Sequence, residues 1–199
     1  LQRDLRDLAN IEGLTDLPRL LKMLATRAGS LLNFAEISRS IGFPQTTLKR
    51  YVALLENIFL FEMLPAWSGN LSKRLTRTPK LFFSDTGLLA HLQNLTWSKI
   101  QADPTFGVFF TENFVYTELR KQIGWSNSKV QMFHFRTLSD QEIDFILELP
   151  NGEIIGIEVK SAESINDKSF KTLRLLQTEM PTKFKRGFVL YSGHQSVPF

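Results

Sequence analysis

Three features of the sequence predict an α+β chain in two parts, helical first and α/β second. Apolar residues recur at helical spacing through most of the first sixty residues, a turn-rich stretch interrupts the chain near residue 100, and strand-like apolar runs dominate beyond residue 130. The 199 residues, 43% hydrophobic and 22% charged, suit one large domain or two small ones. We divide them at 1–100 and 101–199.

The first part reads as helices ending in a hairpin. "LPRLLKMLATRAGS" places Leu and Met at helical spacing and stops at Gly29. "NFAEISRSIGFPQTTLKRYVALLENIFLF" gives a short helix, a turn at "GFP" and a second helix from about Gln45. On that second helix Leu48, Tyr51, Val52 and Leu55 share one face, and Thr46, Lys49, Arg50 and Ala53 fall largely on the other. Two helices joined by a Gly-containing turn form a helix-turn-helix, whose second helix can enter a major groove. "IFLFEMLPAW" and "LSKRLTRTPKLFFSD" then suggest a β-hairpin, as in a winged helix. Its wing would carry Lys73, Arg74, Arg77 and Lys80, cations able to neutralise phosphates without reading sequence. Such a fold also serves as a rigid protein-binding module.

The charge distribution agrees with a polyanionic partner for this part. Residues 1–100 hold 13 Lys and Arg against 8 Asp and Glu, whereas residues 101–199 hold 11 against 12. A solvated surface accounts for an excess of this size equally well. Cysteine is absent, which excludes disulfides and thiolate metal sites, and the apolar runs fall short of a membrane span. A reducing, cytoplasmic setting is the expectation. The chain opens on Leu1, followed by helix-like "QRDLRDLANI", and reads as a piece of a longer protein.

"LQNLTWSKIQADPTFG" marks the junction through its polar residues and its Pro104-to-Gly107 turn signals. Beyond it come a helix, "VFFTENFVYTELRKQIG", a strand, "VQMFHFRTL", a hairpin over 141–160, a helix, "SFKTLRLLQTEM", and a strand, "RGFVLYS".

The hairpin sequence, "QEIDFILELPNGEIIGIEVKSAES", sets two acids and a lysine among apolar residues. A two-residue Asn151-Gly152 loop would send Asp144 and Glu158 to opposite faces. A three-residue Pro150-Asn151-Gly152 loop pairs Leu149 with Glu153 and sets Asp144 opposite Glu158. Proline first, Asn second and Gly at the left-handed position favour the longer loop. Ile143, Phe145, Leu147, Leu149, Ile155, Ile157 and Val159 then share one face. Asp144, Ile146, Glu148, Ile154, Gly156, Glu158 and Lys160 share the other, with Gly156 leaving room beside the charges. Opposed carboxylates repel, and a divalent cation or Lys160 would relieve that. By spacing alone, a solvent-exposed face with one Lys–Glu pair looks the same.

A third carboxylate separates these readings. Glu112 follows Val108 by four residues and precedes Val115 and Leu119 by three and seven, so it stands on an apolar helix stripe, where an unpaired acid is costly. Glu118 shares its face with Thr111, Lys121 and Gln122 and reads as a surface charge.

Glu112 on a helix, Asp144 on a strand, and Glu158 and Lys160 in "IEVK" on the next strand resemble the PD-(D/E)XK nuclease superfamily, with "EID" where "PD" often stands. The resemblance implies a restriction-endonuclease-like domain: a central mixed sheet flanked by helices, with a Mg²⁺- or Mn²⁺-dependent phosphodiesterase site. It makes Glu112, Asp144 and Glu158 metal ligands and Lys160 the residue that positions or activates the attacking water. "RDL", the helix-turn-helix, "PKLFFSDTGLLAHL", "FTENFVYTEL", "FHFRTLSDQEIDFIL" and "IGIEVKS", in that order, are similar to the C-terminal half of a group of prokaryotic AAA-type ATPases. That half is catalogued as a domain of unknown function. The similarity implies an N-terminal P-loop module that binds ATP and is missing here, as no G-x-x-x-x-G-K-[ST] occurs, and an assembly of subunits. It also points to Arg136 as a phosphate contact, where pairing with Glu142 is the plain alternative. His134 reads as a packed strand residue and Asp85 as a helix cap. The expected activity is cleavage of DNA; the alternative is an inactive nuclease-like scaffold that binds nucleic acid or a protein and regulates the ATPase module.

Overall fold

The structure, a computed structural model, describes residues 16–199 except 71–73, 75, 76, 138, 140, 197 and 199. The stretch at the start of the chain and Lys73 lie outside the described residues. Helix α1, Leu17–Ala25, buries Leu17, Leu20, Leu21 and Leu24 on one stripe. Helix α2, Phe34–Ile41, starts where Asn33 accepts from the Ala35 and Glu36 amides and stops at Gly42, whose φ of 81° is the left-handed cap. Helix α3, Gln45–Asn57, turns Leu48, Tyr51, Val52 and Leu55 inward and leaves Thr46, Lys49, Arg50 and Ala53 exposed, the faces its spacing predicts. Burial of each large apolar side chain contributes roughly 1.5–3 kcal/mol, so this shared core holds the three helices together.

Strands β1, Phe61–Leu64, and β2, Lys80–Phe83, pair antiparallel with Leu64 opposite Lys80. Residues 28–31 lie along the other side of β2, tied by Gly29 N to Leu81 O at 2.8 Å and Leu81 N to Ser30 O at 3.1 Å. Of the cations expected on a basic wing, Arg74 and Lys80 do not stand free. After β1 the chain runs against the second part, where Trp67 N donates to His134 O at 2.6 Å and His134 N to Pro65 O at 3.0 Å. Arg74 and Lys80 are consequently drawn into ion pairs with the second part. Asp85 accepts from Leu88 N and caps α4, Thr86–Leu92, as expected.

The junction differs from its turn-rich reading. Helix α5, Trp97–Ala102, runs up to Asp103, whose side chain accepts from Thr105 N and caps α6, Pro104–Trp125. A proline at the first helical position costs nothing, because its missing N–H has no intrahelical partner. Val108, expected on the buried stripe, is exposed, whereas Val115 and Leu119 pack inward.

Strands β3, Gln131–Arg136, β4, Glu142–Glu148, β5, Ile154–Lys160, and β6, Phe184–Tyr191, form one mixed sheet in chain order. The first three run antiparallel; β6 is parallel to β5 after a crossover through α7, Lys171–Glu179. The hairpin takes the three-residue loop: Leu149 N donates to Glu153 O, Gly152 N to Leu149 O, and Gly152 has φ 81°. The face assignment needs correction, since Ile143, Ile146 and Ile154 pack with Leu173 and Leu176 of α7, while Phe145, Ile157 and Val159 pack with Tyr116 of α6. Strands β3 to β5 are thus covered on both sides, while Phe188 and Leu190 of β6 stay exposed. Ile143 departs from Phe145 because Asp144 and Phe145 together oppose His134, a bulge that breaks the alternation. Gly156 leaves no room at the charges; a Cβ there would stand 2.6 Å from Leu173 Cδ2, so the glycine admits α7 instead.

Candidate functional site

Glu112, Asp144, Glu158, Lys160 and Arg136 converge on one cavity of about 410 Å³, with Gly29, Ser30, Leu31, Lys80 and Glu142 completing its wall. Four of the ten lining residues come from the first hundred, so the cavity lies on the seam between the two parts.

Helix α6 places Glu112, which is buried beside Gly29. Gly29 has φ 72°, and a Cβ there would lie 3.2 Å from Glu112 Oε2, so glycine serves both the turn and the approach. The next residue, Asn113, clamps α6 to β2 by accepting from Phe83 N at 2.8 Å and donating to Phe83 O at 3.0 Å. On β4 the bulge presents Asp144, whose Oδ2 accepts from Val159 N at 2.8 Å. On β5, Lys160 Nζ donates to Glu158 Oε1 at 2.5 Å, and Glu158 Oε2 is buried with no protein partner.

Lys80 stands at the centre of this group with 2% of its surface exposed. Its ammonium donates to Glu112 Oε1 at 2.8 Å, pairs with Glu142 and lies 3.6 Å from Asp144 Oδ1. The wing reading of Lys80 as a phosphate contact is therefore overturned: it faces carboxylates. Glu142 also lies 3.5 Å from Arg136, so the plain alternative for Arg136 is realised while its side chain still lines the cavity.

Four carboxylates thus face two ammonium groups, and burial, with the neighbouring acids as a lesser cause, sets the protonation of Glu112, Asp144 and Glu158. Burial pushes Glu112 up to about 7, against the pull of Lys80 and with the help of Asp144. Burial, then Asp144, push Glu158 up to about 7 against Lys160. Asp144 is raised by burial in spite of Lys80 and the Val159 amide. Burial disfavours the Lys80 charge, yet Glu112, Asp144 and Glu142 outweigh it and hold this amine above its ordinary value. Lys160 is raised likewise, the Glu158 contact outweighing burial. His134, buried in β3 as expected, is pushed down to about 4 by burial and by Lys80; its neutral ring donates from Nε2 to Thr78 O.

Among the described residues, no three His, Asp or Glu side chains are gathered as they would be around a metal ion. Lys80 takes the space between Glu112, Glu142 and Asp144. The donor chemistry nonetheless fits a hard divalent cation, being carboxylate oxygen throughout with one buried oxygen unpartnered.

The remaining basic residues divide. Lys49 and Arg50 are exposed on α3, Lys49 over the Phe34 ring at 5.8 Å. Arg77 is exposed, donates to Arg136 O and lines an adjoining hollow with Arg136 and His134. Arg74 is held between Glu148, Trp67 and Phe133. Sequence reasoning missed Lys80 and Glu142 as members of the cluster. The signal for Lys80 resembled that for Glu112: a charge opening the buried strand "KLFF".

Two domain families match the chain. Residues 1–99 match a domain of unknown function (DUF8612), and residues 109–199 match a second (DUF4143). Uncharacterized proteins of Mycobacterium tuberculosis and Mycobacterium bovis are each 31% identical over the whole chain, which spans 43% of their length. No solved structure matches. No helix among the described residues is long and apolar enough to cross a membrane.

Proposed function

We propose that the seam cavity is a divalent-cation-dependent phosphodiesterase site acting on DNA, carried by the C-terminal portion of a cytoplasmic AAA-type ATPase. The observation that supports this most is the convergence of Glu112, Asp144, Glu158 and Lys160, from three separate elements, on one cavity with more acid than base. The mixed sheet between α6 and α7 accords with a restriction-endonuclease-like domain, and α2, α3, β1 and β2 with a winged helix-turn-helix. Relatives more than twice the length of this chain leave room for a P-loop module.

Glu112, Asp144 and Glu158 would hold Mg²⁺ or Mn²⁺. The ion, when bound, acidifies a water and offsets charge on the phosphoryl oxygens. Lys160, held protonated by its carboxylate neighbours, acts as a hydrogen-bond donor that orients the water or a phosphate oxygen, not as a base. Arg136 and Arg77 lie beside the cavity where flanking phosphates would pass, and Lys49 and Arg50 add sequence-independent contacts.

Lys80 favours a second reading, in which an internally neutralised scaffold binds nucleic acid or a protein and regulates the ATPase module. Cleavage of single-stranded, duplex and branched DNA with Mg²⁺ or Mn²⁺, compared with Asp144→Ala and Lys160→Ala, separates the two. Wild-type cleavage lost in both variants supports the nuclease. Salt-sensitive binding without cleavage, in this chain and in the full-length protein, supports the scaffold.

A further inference from the structure

Lys80 comes from the first part of the chain, yet its ammonium lies among the carboxylates of the second. It is not a surface lysine that happens to reach them. Its strand is fixed on one side by β1, on the other by residues 28–31, and one turn of α6 is clamped to it through Asn113. An amine held this deeply is costly to bury unless negative charge surrounds it, and Glu112, Glu142 and Asp144 supply that charge from α6 and β4.

We propose that Lys80 is a resident cation that stands in for a metal ion between Glu112, Glu142 and Asp144, so that the native site takes at most one divalent ion, beside Asp144 and Glu158. This rests on the reading of the cavity as a divalent-cation site. Charge counting supports the limit. With all four ionised, as a bound cation would leave them, Glu112, Glu142, Asp144 and Glu158 bring four negative charges; Lys80 and Lys160 remove two, and Arg136, beside Glu142, offsets part of a third. The remainder suits one divalent ion, whereas two would leave the cavity positive. The buried Glu158 Oε2 without a protein partner lies on the side that Lys80 does not serve. A purely structural ion pair would explain the burial of Lys80, and would predict no change in cation uptake beyond the loss of stability.

The test is Mn²⁺ titration of the 199-residue chain by calorimetry and by electron paramagnetic resonance, comparing wild type, Lys80→Met and Lys80→Arg. Expected are no more than one ion for wild type and Lys80→Arg. Lys80→Met should take up one more ion, or bind the first at least about tenfold more tightly, because a positive charge has left a weakly screened site. Uptake by Lys80→Met alone supports the resident-cation assignment while overturning a metal-dependent native site. Equal stoichiometry and equal affinity in a folded Lys80→Met and wild type overturn the assignment: with one ion each the metal-dependent reading stands, and with none both fall. Uptake of two ions by wild type overturns the assignment and leaves that reading standing. If Lys80→Met is unfolded without metal, the titration is followed by circular dichroism. Folding restored by Mn²⁺ supports the assignment, and a chain still unfolded at millimolar Mn²⁺ overturns it.

Discussion

The two ends of β4 hold buried charge in opposite ways. At the turn end, Glu148 receives Arg74 through both oxygens, at 2.5 and 2.7 Å, and the Trp67 indole N–H at 3.3 Å. The guanidinium lies 4.7 Å from the Phe133 ring centroid, charge is balanced, and the Arg74 contact holds Glu148 below its ordinary value. At the other end, Glu142 and Asp144 join Glu112 and Glu158 around Lys80 and Lys160, and burial raises Glu112, Asp144 and Glu158. A balanced pair fastens one segment to another. An unbalanced cluster is a place where something else can bind, and it weakens the fold until it does.

The largest effect expected is at the balanced end. Arg74→Ala should destabilise by about 2 kcal/mol, since it leaves Glu148 partly buried with the Trp67 indole N–H in place of a bidentate ion pair, and should lower the melting temperature by roughly 4–8 °C. Mn²⁺ uptake should stay as in wild type; an unchanged melting temperature would mean that the pair fastens nothing.

One amide substitution at both sites sharpens the contrast. Glu148→Gln should lower stability by about 1 kcal/mol, and Glu158→Gln should raise it by a similar amount in metal-free buffer near pH 8. Shifts of the same sign in thermal melts would refute the distinction between the two ends.

The pH dependence follows from the raised groups. Native Glu112 and Glu158 keep protons up to about 7, whereas unfolded glutamates release them near 4.5. Their contribution is therefore fully present below the lower value and is lost as pH rises through 7. Metal-free protein should melt a few degrees higher at pH 5 than at pH 8, and Glu112→Gln should flatten that slope. A profile that is already flat in the wild type would count against excess acid in the cavity. The smallest stability change belongs to Lys49→Ala with Arg50→Ala, within about 0.5 kcal/mol for an exposed helix face. If DNA lies on α3, the slope of log affinity against log salt should become shallower by about 2.

Local chemistry made part of this legible in the sequence. Pro150-Asn151-Gly152 determines the hairpin loop because Gly152 must take a positive φ, and Glu112 stands out because an acid on an apolar stripe needs a partner. Long-range pairing hid the rest. Lys80 meets Glu112 across 32 residues of sequence, and Glu142 across 62, so its spacing carried no hint of either. The face of Ile143 is decided by the bulge against His134, a property of strand pairing and not of the hairpin. Pro104 and Gly107 look like turn residues, but a capping Asp103 makes the same prolyl position a helix start.

The seam has a consequence for modularity. The two matched families meet between residues 99 and 109, yet the bonds that complete each half cross that point: Trp67 N to His134 O, Lys80 to Glu112, and Tyr116 Oη to Glu62. A fragment cut at this boundary would carry the acids with Lys160 but without Lys80, and α6 without the strand to which Asn113 and Tyr116 are fitted. In this chain the two matched segments therefore complete one another, and neither carries the whole cavity alone.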